Sequence, residues 1–133
     1  MKKQKLEKQF TYKGYECAII GQARGHRCGY ICIPREHPAY ELHYDDINID
    51  VHGGLTYSES SNNYPIESKE PKFWIGFDCA HFNDGVDLAL VEEIGYLKTR
   101  ELRDVYMPSG VVRTLEYVQD ELIRAVDQLE KMV

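Results

Sequence analysis

Apolar and polar positions change their rhythm several times along the chain, and each change predicts an element. Phe10-Thr11-Tyr12 and Tyr15-Glu16-Cys17-Ala18-Ile19-Ile20 are rich in aromatic and branched residues and are separated by Lys13-Gly14. This predicts a β-hairpin, with glycine accepting a positive φ at the turn. Gly21 to Gly25 predicts a loop and His26 to Ile33 the next strand, which Pro34 ends. Ile47, Ile49 and Val51 alternate with Asn48, Asp50 and His52, the pattern of a half-buried antiparallel strand. It turns at Gly53-Gly54 and returns through Leu55-Thr56-Tyr57. Residues 58–71 are rich in Ser, Asn, Glu and Pro and predict a surface loop. Phe73 to Cys79 is apolar on both faces, so a central strand is expected.

The period then lengthens. Asp87 to Glu93 predicts a short helix using Leu88, Leu90 and Val91 to pack, interrupted by Gly95. Residues 98–107 carry no clear pattern. Leu115, Val118, Leu122, Val126 and Leu129 recur at three- and four-residue steps, predicting an amphipathic C-terminal helix over residues 111–131, with Ser109 as a candidate cap. Strands grouped ahead of helices predict an α+β fold. The expectation is an antiparallel sheet of about six strands followed by one or two C-terminal helices, in a single domain over 1–133. Residues 1–8 are polar and lysine-rich and are expected to fray.

Charge narrows the partners. Twenty-two acidic against 16 basic residues leave a net charge of −6, the wrong sign for a general binder of nucleic-acid polymers. An anionic ligand must then be small and met by a local basic cluster. No run is apolar enough to span a bilayer, and no secretory leader is evident. Cys17, Cys28, Cys32 and Cys79 are therefore expected as reduced thiols in a cytoplasmic protein.

Three kinds of chemistry compete. Asp50-x-His52 and Asp78-x-x-His81 offer carboxylates and imidazoles to a metal-dependent phosphodiesterase, with His26, His37, His43 and the cysteines as further donors. Cys28 and Cys32 on one strand would stand about 13 Å apart, too far to share an ion. No HExxH or paired CxxC occurs, so no metal is the first expectation. Cys79 with His81 is a poor nucleophile pair, because Asp78 opposes a thiolate. The segment from Gly21 to Gly29 sets Arg24, His26 and Arg27 among three glycines, where backbone N–H groups and guanidinium groups can meet a phosphate. Phe82 can stack on a base, Asn83 or Asp84 can read its edge or a ribose hydroxyl, and Arg113 can join from the start of the last helix. The alternative for the glycine-rich segment is an ordinary solvated turn.

The combination Gly25-His26-x-Cys28-Gly29-Tyr30, Asp50-Val51-His52-Gly53-Gly54-Leu55-Thr56-Tyr57, Gly76-Phe77-Asp78-Cys79-Ala80-His81 and Arg113-Thr114-Leu115-Glu116-Tyr117-Val118 resembles the first described family of phage anti-Thoeris proteins. The motifs run over most of the chain. The resemblance implies a protein that is not an enzyme and needs no cofactor. It would act as a sponge in the infected cell, holding intact the glycosidic cyclic ADP-ribose isomers made by TIR-domain proteins; some members are similar to binders of cyclic oligonucleotides. It also implies a sheet followed by C-terminal helices and homo-oligomers with ligand pockets near protomer contacts. Arg24, His26, Arg27, Phe82, Asn83 and Arg113 are the positions it assigns to pyrophosphate and base. The chain departs from the pattern after His81, where Phe82-Asn83-Asp84-Gly85 stands in place of a Gly-Asp, and again from Val86 to Met107.

Overall fold

The opening hairpin forms where the aromatic and branched residues place it. In the computed structural model, which describes residues 4–94 and 110–133, strand β1 (Gln4–Tyr12) turns through Lys13 and Gly14, both at positive φ, into β2 (Tyr15–Gln22). Two positive-φ residues in a two-residue turn match the right-handed twist of the strands they join. β3 (Arg27–Cys32), β4 (Tyr57–Ser61) and β5 (Lys72–Asp78) complete a five-stranded sheet in the order β1-β2-β3-β5-β4, with every neighbour antiparallel. A two-residue parallel pair, β6 (Asp84–Gly85) with β7 (Val111–Val112), stands apart from it. Helices α1 (Leu88–Ile94) and α2 (Leu115–Glu130) finish an α+β fold.

β5 lies inside the sheet, as its two apolar faces require. Phe73, Ile75 and Phe77 join Ile19, Ile31, Val118, Leu122, Val126 and Leu129 in the core between sheet and α2. Trp74 faces the other way, with Ala18, Ile20 and Tyr30. Residues 62–71 cover that second face through Tyr64 and Ile66, and the Tyr64 hydroxyl lies 2.8 Å from that of Tyr30. The four cysteines are free thiols, two of them buried.

Gly76 sits opposite Tyr30 in the ladder. A Cβ there would stand 2.5 Å from the Tyr30 ring and 2.7 Å from the Gly29 carbonyl oxygen. The carbonyl belongs to an adjoining strand and cannot yield alone. Gly76→Ala is expected to cost about 2 kcal/mol by overpacking, read as a lowered urea midpoint. An unchanged midpoint would mean that β3 and β5 are not this close.

Four expectations need correction. Strand structure begins at Gln4, so the expected fraying of 1–8 fails from residue 4 onward. An edge strand tolerates lysine, and Lys5 and Lys8 are tied to Glu93 and Gln119. The segment Ile47 to Val51 forms no strand despite its alternation. Ile47 and Val51 are buried, but the backbone is satisfied by helix side chains instead of a ladder: Gln128 bonds both the N–H and the carbonyl of Asp50, and Glu121 accepts from the His52 N–H. The surface loop expected over 58–71 starts only at 62, because Ser58 to Ser61 pair with β5 on one side. The last helix begins at Leu115, not 111; Thr114 caps it by accepting from the Tyr117 N–H, after Val111 and Val112 have paired with β6. The unpatterned residues 98–107 lie outside the described residues.

Candidate functional site

Three segments meet at the end of the sheet where β5 leaves the core. They are the His52-Gly53-Gly54 turn, the loop from Cys79 to Gly85, and the β7–α2 junction. The Asp84 carboxylate is at the centre, its side chain only 1% exposed. Its Oδ1 accepts from Arg113 Nε at 2.8 Å. Its Oδ2 accepts from the His81 N–H and from His52 Nε2, both at 2.9 Å, and faces His81 Nδ1 at 3.3 Å. Burial alone would push the carboxyl up. The His52 and Arg113 hydrogen bonds, then the His81 N–H, outweigh it and hold Asp84 well below the usual carboxylate range.

Tyr117 backs two of these partners, and a carboxylate stands near the third. The Tyr117 hydroxyl is 2.8 Å from His52 Nδ1, and the Arg113 guanidinium lies over the Tyr117 ring at 5.0 Å. Asp78 Oδ1 stands 3.7 Å from His81 Nε2, and the same carboxylate accepts from the Ala80 N–H and the Thr56 hydroxyl. Gly53, at φ +68°, leaves the space the His81 ring fills; any Cβ there would overlap the imidazole.

The residues expected to bind ligand separate into two groups. Phe82 is 96% exposed, Asn83 is exposed with its carbonyl accepting from Val111 N–H, and both belong to the loop that carries Asp84. Arg113 uses Nε alone; its terminal nitrogens make no hydrogen bond to another described residue. His26 is half-buried and feels the charges of Asp84 and Asp78, but burial dominates and lowers its pKa, with Arg24 acting in the same direction. Arg24 is exposed on the turn.

Arg27 does not belong with them. It is 7% exposed, and its guanidinium is consumed by Glu7 at 2.7 and 3.3 Å, Asp87 at 2.9 Å and the Arg113 carbonyl at 3.1 Å. A buried cation must be paired, and Glu7 reaches it because β1 bulges between Leu6 and Lys8. Arg27 therefore positions Arg113 and does not face a ligand.

The metal-type residues also re-sort. His52, His81 and Asp78 do come together, but Asp50 points away and pairs with Arg124 at 3.0 Å. Asp84 takes its place, and one donor atom from each of His52, His81 and Asp84 lies within 4.8 Å of the others. His37 is buried under the end of α2, with Nε2 2.8 Å from the Leu129 carbonyl, and His43 caps a short 3-10 turn at Tyr44–Asp46. The Cys79 thiol is pushed up to about 12, first by burial and then by the Asp84 charge, the reverse of what a nucleophile needs. A separate hollow of about 240 Å³, lined by Lys13, Tyr15, His37 and Glu130 among others, opens at the hairpin end of the sheet.

Tyr117 and Glu7 were not among the expected site residues, and Asp84, expected to read a base edge or a ribose hydroxyl, is instead buried and bonded to His52, Arg113 and the His81 N–H. Tyr117 follows Arg113 by four at the start of a helix, so spacing offered a weak signal for it. Nothing in the spacing points to Glu7. Comparison of the chain with known protein families, curated sequences and solved structures finds no match. Among the described residues no helix is long and apolar enough to cross a membrane.

Proposed function

We propose that this protein binds small cyclic nucleotide signals and sequesters them without cleaving them, with glycosidic cyclic ADP-ribose isomers as the first class to test. One juxtaposition carries the reading. An outward aromatic, Phe82, shares a short loop with the carboxylate that fixes Arg113, whose terminal nitrogens remain free of described partners. A base can stack on the ring while a diphosphate meets the guanidinium. Exposed Arg24 and half-buried His26 supply further positive or donor groups from the β2–β3 turn. The chemistry for hydrolysis is poorly supported at the same place. The Cys79 thiol is held protonated, which leaves no thiolate nucleophile there. A homo-oligomer, as the family resemblance implies, would place a second copy of the chain near this site.

Incubation with cyclic ADP-ribose isomers, followed by heat denaturation, should return the ligand unchanged by mass spectrometry; a hydrolysed product would refute sequestration. Arg113→Ala should weaken binding on the order of ten- to a hundredfold, and Phe82→Ala about tenfold. Wild-type affinity in both variants would move the site elsewhere. The competing phosphodiesterase reading, built on Asp50, His52, Asp78 and His81, has lost Asp50 to Arg124 and would have to use Asp84 instead. Metal-dependent turnover of a cyclic nucleotide would favour it.

A further inference from the structure

We infer that His52 Nε2, His81 Nδ1 and Asp84 Oδ2 form a binding site for one divalent transition-metal cation, with zinc the ion their chemistry suits best. The inference stands apart from the nucleotide reading. Two imidazole nitrogens and one carboxylate oxygen are donors of the kind zinc takes, in the two-histidine, one-carboxylate set common to open sites.

The geometry is close to what an ion needs. A tetrahedral zinc with bonds of about 2.0–2.1 Å holds its ligand atoms about 3.3 Å apart. Asp84 Oδ2 lies 2.9 Å from His52 Nε2 and 3.3 Å from His81 Nδ1. The third pair of donors lies within 4.8 Å, and the His81 side chain, 39% exposed, is free to adjust toward an ion. That exposure also leaves the fourth position open to water or another ligand.

The stronger observation is on the far side of each donor. Metal-bound imidazoles hold their other nitrogen on a fixed partner, and ligating carboxylates are hydrogen-bonded in turn. Here the outer nitrogen of His52 is on the Tyr117 hydroxyl, the outer nitrogen of His81 faces the Asp78 carboxylate, and the outer oxygen of Asp84 is on Arg113 Nε. His52 and Asp84 are thus oriented from behind by hydrogen bonds, and His81 has a carboxylate 3.7 Å from its outer nitrogen. An imidazole that gives its inner nitrogen to an ion carries its proton on the outer one, where the Tyr117 oxygen can accept from His52. Arg113 opposes the added charge, and the Asp78 and Asp84 carboxylates offset it. The bound ion would pin the His52 turn to the loop that bears Phe82.

The test uses the full chain, stripped with chelator and titrated with zinc chloride by calorimetry. The expected result is one ion per chain and, with cobalt(II), visible d–d absorption of a low-coordinate nitrogen–oxygen site. His52→Gln and His81→Gln should each abolish the cobalt signal, and Asp78→Asn should weaken zinc binding by about tenfold. His81 is partly exposed, so its variant reports on the ion even if the His52 variant unfolds; circular dichroism checks both. Absence of saturable zinc binding overturns the proposal. So does equal binding by His81→Gln, which would mark the ion as adventitious at other surface groups.

Discussion

Asp84→Ala is expected to remove about 3 kcal/mol of stability and, with it, the ordered position of Arg113. The carboxylate is buried and accepts from an arginine, a histidine and a main-chain N–H. Removing it leaves those donors facing a void, and breaking a buried pair by deleting one partner costs far more than the pair contributes net. Arg113 and His81 retain some solvent, which keeps the figure at the lower end. A pH series separates this from simple loss of packing. Asp84 is depressed in the folded state, so it binds its proton more weakly there than in the unfolded chain. Its contribution is full above the ordinary carboxylate pKa near 4 and is lost as pH falls toward the lower folded value. The gap in melting temperature between wild type and Asp84→Asn should therefore be widest near neutrality and narrow below about pH 4. A gap of constant size across that range would mean the charge is not what matters.

Leu122→Ala carries the other large effect, about 3–4 kcal/mol. Leu122 is fully buried in the middle of α2, in the cluster that contains Phe77 and Ile31. The helix comes so close to β3 that a Cβ on Gly29 would lie 3.1 Å from a Leu122 methyl. Rigid backbone on the β3 side cannot collapse into the space left by the missing methyl groups, so the cavity term adds to the lost transfer energy. The effect should reach the site, because α2 also supplies Tyr117, Glu121 and Gln128 to the segment from Asp50 to His52. Urea unfolding measures the first part; weakened ligand retention by the still-folded variant measures the second. A loss below about 1 kcal/mol would mean α2 is not docked as described.

Both variants show which parts of the molecule were legible from residues alone. The opening hairpin, β5 and α2 were readable because their patterns report one local decision each: a turn that glycine permits, a strand apolar on two faces, a helix with one apolar stripe. Ile47 to Val51 misled because period-two burial says only which side chains go inward. It does not say what satisfies the backbone, and here Gln128 and Glu121 do so from a helix about 70 positions away. Arg27 misled for a related reason. A guanidinium beside glycines is equally suited to a phosphate or to a buried carboxylate, and the carboxylate that captured it, Glu7, lies in a stretch whose composition resembles a loose terminus. At the site, the grouping of His52 with Asp78 and His81 was foreseeable from donor type, whereas Asp84 as their centre was not, since no local spacing distinguishes it from Asp78.

The Arg27 contacts also set an order of events. One guanidinium joins Glu7 of the first strand, Asp87 ahead of α1 and the carbonyl of Arg113 just before α2. A chain emerging from the ribosome can form the hairpin and bury Arg27 against Glu7 early, because those partners are near in sequence. Arg113 and Tyr117 emerge long afterwards. Until they arrive, Asp84 lacks Arg113 and His52 lacks Tyr117, so the surface offered to a ligand is completed only when α2 docks on the sheet.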